Sequence, residues 1–451
     1  MFWNLTTDSN HSQATGGAKM KRKIDWTIGN RHWVKSIGTT GIILLALFRG
    51  LITGGMSTEV WAAEQGPIKI GYIAPFTGNF AQMGMDMLDG FKMYLNEINY
   101  TVAGRKIELI VEDEGDGPAT AVTKARKLVA ADKIHLMAGV FLTPCTYAVA
   151  PIFEEAAIPF VVTSSGGDDL TQRKRSKNLL RLTYTGCNLG HVAGDYAYNK
   201  LGWRKVVIVG FDFAFGHEVV GGFHHAFEDA GGKVIQKVWP PMNTMDYSPY
   251  VAGLKRDADG LFDVVTGSAS VRFLRALKSS GLMNKWKVVA AGTSTDEWLL
   301  PALGDLGLGV YSTYNWSAAL QTPENAKFVD KVHQQLKREA TVGMSTNYTG
   351  ADWIVRGIKA VNGDVENKEK FLQALRSIEM PDSMRGPLKL DKYGHVIQNI
   401  YVRRVDKVNN QYQNTVVETY PNTSQFWKYD PEAYLKTPLY NRDNPPCKNC
   451  E

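Results

Sequence analysis

From Ile68 onward, short β-branched runs alternate with longer amphipathic stretches. Residues 68–73 read as a strand, and residues 84–98 place Met87, Leu88, Phe91, Tyr94, Leu95 and Ile98 close to a helical period of 3.6. Strands at 107–112, 136–139 and 160–163 then alternate with helices at 119–131 and 146–156. A βα repeat of this kind predicts a mostly parallel sheet covered on both faces. After residues 179–187 the rhythm restarts with a helix at 189–201, a strand at 205–210 and a helix at 217–230 that stops at Gly231-Gly232. It continues with a strand at 234–239, helix 247–257, strand 262–266, helix 270–280 and strand 288–291. Two successive units of similar size predict an α/β protein of two doubly wound lobes.

Beyond Tyr311 the pattern changes to helices at 323–339, 347–362 and 368–377 with no strand of comparable strength between them, and these are expected to return and cover the first lobe. Residues 386–395 and 399–405 read as two strands around an Asp391-Lys392-Tyr393-Gly394 turn. From Val408 the chain is polar and rich in Asn, Pro and Tyr, and reads as an irregular tail. The expected organisation is a leader at 1–63, a first lobe at 66–184 and 316–379, a second at 185–315 and 380–407, and a tail at 408–451. Three hinge crossings fall near 182–187, 312–316 and 380–385.

Composition changes this picture at the N-terminus. The 451 residues, 44% of them hydrophobic, suffice for two domains with sizeable cores. The net charge of +6 hints at nucleic acid, yet Lys and Arg are spread along the chain, and much of the excess sits in Lys21, Arg22, Lys23, Arg31 and Lys35. No nucleic-acid partner is expected. Those basic residues precede the apolar stretch 36–60 and then Trp61-Ala62-Ala63-Glu64, the order of a secretory signal cleaved after Ala63 into the periplasm. Arg49 leaves the apolar run short for a membrane span, and an uncleaved anchor is the alternative. Met20-Lys21-Arg22-Lys23 makes a more conventional start than Met1.

Enzyme signatures are missing: no Walker P-loop, no GxGxxG after the first strand, no GxSxG and no HExxH. His224 and His225 are adjacent, so their imidazoles point apart on a helix, and they read as solvated. Asp168-Asp169 and Asp113-Glu114 read as caps and surface charges. Cys447 and Cys450 form a lone CxxC without a second pair or nearby His, which favours a local disulfide or an unpaired, dispensable tail over zinc. A bridge between Cys145 and Cys187 is left open. No cofactor and no metal are expected.

What the chain offers is hydroxyls and backbone groups where strands end and helices begin, where open α/β sheets bind ligands. Strand 68–73 runs into Ala74-Pro75-Phe76-Thr77-Gly78-Asn79-Phe80-Ala81-Gln82-Met83-Gly84, strand 136–139 into Val140-Phe141-Leu142-Thr143-Pro144-Cys145-Thr146, and strand 160–163 into Ser164-Ser165-Gly166-Gly167. Converging, these loops suit a carboxylate; singly, each is an ordinary cap or turn.

The same loops resemble the type I periplasmic binding proteins of the branched-chain amino acid (Leu/Ile/Val-binding) family, the solute receptors of ABC importers. Ile68 to Gly78 is similar to that family's opening strand and P-x-TG turn. Asn96-Glu97-Ile98-Asn99 with Val102 to Leu109 resembles its N-x-x-GG-(I/V)-x-G-(K/R) passage, the Gly pair being replaced. Phe211-Asp212-Phe213-Ala214-Phe215-Gly216 resembles its D-Y-x-Y-G loop. The ordered series spans residues 68–405.

The resemblance implies a ligand-binding hydroxyl at Thr143, a carboxylate-holding loop at Ser164, Ser165 and Gly166, a first-lobe wall at Met83, the second-lobe aromatic at Phe215, and a contributing loop at Gly292-Thr293-Ser294. That last loop holds no acid before Asp296, which argues against an α-amino acid as ligand. Aromatic residues crowd the same positions at Phe76, Phe80, Phe141, Tyr184, Phe215, Tyr314, Trp316 and Tyr348; stripes of rings usually form core, but rings in loops at strand ends suit a cleft. The expectation is therefore an extracytoplasmic substrate-binding component of an ABC importer. It would bind a small carboxylate, an aromatic acid in preference to a branched-chain amino acid, in the interlobe cleft. It would act as a monomer, catalyse nothing and deliver ligand to a membrane permease. Its rivals are a sensory ectodomain on an N-terminal anchor and an enzyme on the same scaffold.

Overall fold

The computed structural model describes residues 66–115 and 117–450. The basic and apolar leader and its Ala63 cleavage point lie outside the described residues. In the first lobe, β1 (Ile68–Ala74), α1 (Ala81–Glu97), β2 (Thr101–Val102), β3 (Arg105–Asp113), α2 (Pro118–Lys127), β4 (Leu136–Gly139), α3 (Thr143–Glu155), β5 (Phe160–Val162) and β6 (Leu179–Arg181) follow one another. They form a six-stranded sheet in the order β2-β3-β1-β4-β5-β6, parallel except for the β2–β3 hairpin. Because β1, β4 and β5 are neighbours, the three loops leaving their carboxyl ends open on one side of the sheet.

The second lobe is built from α4 (Gly186–Asn199), β7 (Lys205–Gly210), α5 (Ala214–Asp229), β8 (Lys233–Val238), α6 (Ser248–Ala252), β9 (Gly260–Val264), α7 (Ala269–Ser279), β10 (Lys287–Ala291), α8 (Leu300–Leu303) and β11 (Tyr311–Tyr314). Its strands lie parallel in the order β8-β7-β9-β10-β11. Close helix packing here depends on small residues. A Cβ on Gly190 would lie 2.1 Å from the Val219 carbonyl oxygen, and one on Gly222 would lie 2.3 Å from that of Cys187, so α4 and α5 meet backbone to backbone.

The chain then passes into α9 (Pro323–Leu336), α10 (Val342–Ala360) and α11 (Lys368–Arg376). Here α10 lies against α1 so closely that a Cβ on Gly90 would meet Met344 at 2.2 Å. The strands β12 (Glu379–Met380), β13 (Leu388–Leu390), β14 (Val396–Val408) and β15 (Gln411–Thr423) are antiparallel, and β14 joins the second sheet beside β11.

Two expectations change. The region beyond Val408 is not irregular: β15 pairs with β14 over most of its length, α12 (Pro431–Leu435) follows, and Phe426, Tyr434 and Tyr440 pack with Cys187 and Tyr393. This terminal segment binds both lobes. Arg173 donates to the Tyr434 and Thr437 carbonyls, while Tyr440 meets His191 and His225, and Arg442 pairs with Asp212. Between 380 and 402 the chain alternates between the two apolar clusters, with Met380, Leu388 and Val396 in the first lobe's and Met384, Ile400 and Val402 in the second's. Finally, the helix expected at 247–257 ends at Ala252, because Gly253 and a turn follow its single turn of α-helix.

Candidate functional site

The three first-lobe loops converge, and the second lobe closes onto them. A narrow interlobe cavity is lined by Phe80, Phe141, Leu142, Thr143, Ser164, Gly166 and Tyr184 together with Phe213, Phe215, Thr266 and Thr293. A second small space adjoins it through Phe141, Ser164 and Tyr184 and is bounded also by Met83, Thr183, Tyr314, Val342, Gly343 and Thr346. The lobes touch at its rim: a Cβ on Gly267 of the second lobe would meet the Phe80 ring at 2.9 Å, and one on Gly166 would meet Phe215 at 2.9 Å.

Rings form most of the wall. Phe80 and Phe141 lie 5.1 Å apart between centroids, Tyr184 and Tyr314 5.2 Å, and Tyr184 and Phe215 6.1 Å. Such tilted pairs are favourable beyond the area they bury. The polar part is small and neutral. Ser164 Oγ accepts a hydrogen bond from Asn347 Nδ2 at 3.0 Å, and Asn347 Oδ1 in turn accepts from Tyr72 Oη at 2.7 Å and Thr163 Oγ1 at 2.6 Å. Thr293 Oγ1 is buried and has no protein partner. No charged side chain lines either space.

Backbone positive potential takes the place of side-chain charge. Both α3 and α5 begin at the cavity, at Thr143 and near Phe215, and neither has a side-chain cap. Helix N-termini of this kind attract an anion. The residues before α3 are set by Glu114, whose buried carboxylate accepts from the Phe141 and Leu142 N–H groups at 2.9 and 2.7 Å. Burial pushes this acid up to about 7, opposed by those two hydrogen bonds. Val140 sits in the left-handed region at φ 60°, a costly conformation for a β-branched residue, and turns the chain into this loop.

Ten of the eleven sequence-chosen residues line these two spaces, namely Phe80, Met83, Phe141, Thr143, Ser164, Gly166, Tyr184, Phe215, Thr293 and Tyr314. Ser165 does not. It alternates with Ser164 and Gly166 along an extended loop and turns its hydroxyl into the core, where it has no partner. Three of the crowded rings lie elsewhere: Phe76 packs on the first-lobe core, Trp316 donates to Asn325 Oδ1 at 2.7 Å, and Tyr348 donates to Glu97 at 3.0 Å. Sequence reasoning missed Leu142, Thr183, Phe213, Thr266 and the α10 residues Val342, Gly343 and Thr346. Of these only Leu142 and Phe213 carried a signal, through the loop after strand 136–139 and the D-x-x-x-G loop.

A sequence profile of the family described as periplasmic binding protein matches residues 67–411. The chain belongs to that family. Within it, the chain is 31% identical over 371 residues to a Leu/Ile/Val-binding protein homolog of Brucella melitensis, an alignment covering 80% of this chain and 93% of the relative. Two solved structures of ABC transporter solute-binding proteins share the architecture. One, from Rhodopseudomonas palustris HaA2 in complex with p-hydroxybenzoic acid, is 30% identical with a TM-score of 0.76, over 80% of this chain and 98% of that one. The other, from Rhodopseudomonas palustris BisB5 in complex with 3,4-dihydroxybenzoic acid, is 27% identical with a TM-score of 0.76, over 80% and 99%.

In this periplasmic binding protein several side chains differ from their sequence reading. Asp168, Asp169 and Glu114 are buried rather than on the surface. His224 is fully buried and His225 half-buried, stacked on Tyr429 with centroids 4.5 Å apart, so neither is a solvated helix residue. Cys145 and Cys187 are free and buried, whereas Cys447 and Cys450 form a disulfide. Among the described residues no helix is long and apolar enough to cross a membrane, and no group of three or more His, Cys, Asp or Glu side chains could hold a metal.

Proposed function

We propose that this protein is the periplasmic substrate-binding component of an ABC importer, that it captures a small aromatic carboxylate between its lobes, and that it releases it unaltered to a permease. The observation that carries the reading is the cavity wall: rings and hydroxyls at two uncapped helix N-termini, without a charged side chain. A benzoate-like ring would lie among Phe80, Phe141 and Phe215, with its carboxylate toward Thr143 and Ser164. An α-amino acid fits worse. Its ammonium needs an acidic partner, and no acidic side chain lines either space. Relatives crystallised with hydroxybenzoates support the same class of ligand. In this reading the leader ends at Ala63, the chain acts as a monomer, and the lobes close by rotation at the crossings between them.

Titration calorimetry of the mature chain with 4-hydroxybenzoate, benzoate and leucine tests the proposal. The benzoates are expected to bind at least a hundredfold more tightly than leucine. Tight leucine binding without benzoate binding would overturn it.

A further inference from the structure

One turn beyond the cavity residues Thr143 and Phe215, the same two helices meet directly. Tyr147 on α3 of the first lobe donates its hydroxyl to Glu218 Oε1 on α5 of the second at 2.7 Å. The other oxygen of Glu218 accepts the backbone N–H of Asp168 at 3.1 Å. Asp168 directly follows the Ser164 to Gly167 loop, so this second bond ties a second-lobe side chain to the segment that borders the cavity. The Tyr147 oxygen also accepts the Asp169 N–H at 2.9 Å. On the far side Arg181, wholly buried, donates to the Gly167 carbonyl and the Thr171 hydroxyl, fixing the loop to its own lobe. Glu218 is about 1% exposed, and nothing on its own lobe is needed to explain these two bonds.

We infer that Glu218 is a positioning residue for ligand capture, a latch whose two oxygens are both satisfied by first-lobe donors only when the lobes are together, so that closure and the geometry of the Ser164 to Gly167 loop are fixed by one contact. The lobes carry Tyr147 and Glu218 apart on opening, and both groups then return to water. Opening loses both interlobe hydrogen bonds of Glu218, and that loss shifts the open and closed populations.

The latch is also sensitive to protons. Facing Glu218 and Asp168 are Tyr147, Arg181 with His395 behind it, Asp169, the Cys187 thiol, and Tyr434 and Tyr440 of the terminal segment. Burial, then the neighbouring Asp168 charge, holds the Glu218 carboxyl well above its ordinary range. Opening returns it to an ordinary carboxyl. Closure is therefore linked to proton uptake, and affinity falls as pH rises.

The test uses the mature chain and the variants Tyr147→Phe, Glu218→Ala and their double. Small-angle scattering of the unliganded proteins reads lobe separation without any ligand, and stopped-flow release of 4-hydroxybenzoate reads residence time; only the measurements made with that ligand rest on the aromatic-acid reading. Each single variant is expected to be more open when unliganded and to release ligand about tenfold faster, with the double no worse than the poorer single. Affinity should fall in the wild type as pH rises above the ordinary carboxyl range, and fall less steeply in Glu218→Ala. Unchanged scattering in both single variants, or losses that add in the double, would overturn the latch. A wild type that does not bind 4-hydroxybenzoate, with the scattering differences intact, would overturn the ligand class and leave the latch standing.

Discussion

At the scale of single residues, the chemistry of this protein is dominated by acids in places where acids are costly. Asp263, in the middle of the second sheet, is fully buried; its Oδ1 accepts the Val265 N–H at 2.7 Å and Oδ2 has no partner. Burial pushes its carboxyl up to about 8, against which that one hydrogen bond works. A folded-state value above the unfolded one means the stabilising contribution is complete below about 4 and is lost as pH rises through 8. Thermal melts of Asp263→Asn and wild type from pH 5 to 9 check this. The wild type is expected to lose melting temperature relative to the variant across that range, and the gap should close at the acid end. None of this could be read from the sequence. Asp113-Glu114 and Asp168-Asp169 look alike as pairs of neighbouring acids, and what separates Glu114 from the half-buried Asp113 is the Phe141 and Leu142 amides that fold brings to it. Thr143, Ser164 and Phe215 were legible because strand ends and the resemblance mark them independently. Thr266 and Thr346 sit in runs with no local pattern, and only packing brings them to the cavity.

At the scale of elements, the alternation of β-branched runs and helical periods was readable, because period and turn residues agree at each step of both lobes. The exceptions have local causes. The helix α3 begins at Thr143, earlier than the apolar period announces, because Pro144 reads as a breaker but is well placed in a first helical turn, where no N–H is needed. The strand β15 escaped notice because its run of Gln, Asn and Thr with Pro421 shows little alternation, both of its faces being only half-covered. The longest helix to return to the first lobe, α10, carries the most connected polar side chain of the site. Asn347 holds Tyr72, Thr163 and Ser164 at once and donates to the Gly343 carbonyl at 2.8 Å. Replacing it by alanine leaves several buried hydroxyls without partners, a loss of about 3 kcal/mol. Urea unfolding of Asn347→Ala is expected to show that drop in midpoint with an unchanged slope, together with weaker ligand binding.

At the scale of the whole molecule, two sheets face each other across a cavity and are joined by three chain crossings and by the terminal segment that the sequence presented as a loose tail. That segment binds Arg173 in one lobe and His191, His225 and Asp212 in the other, so the range of opening is shaped by more than the hinge strands. The two-lobed architecture was legible because each half repeats the same βα rhythm. The closed contacts at Phe80, Phe215 and Glu218 were not, since residues on opposite lobes carry no shared pattern along the chain. Capture by closure requires that the ligand lie where these contacts meet. The most direct measurement is a crystal structure of the mature protein grown with 4-hydroxybenzoate. The ring is expected among Phe80, Phe141 and Phe215, with the carboxylate within hydrogen-bond distance of Ser164 and Thr143; a ligand bound outside the interlobe cavity, or an empty cavity at saturating ligand, would contradict the account.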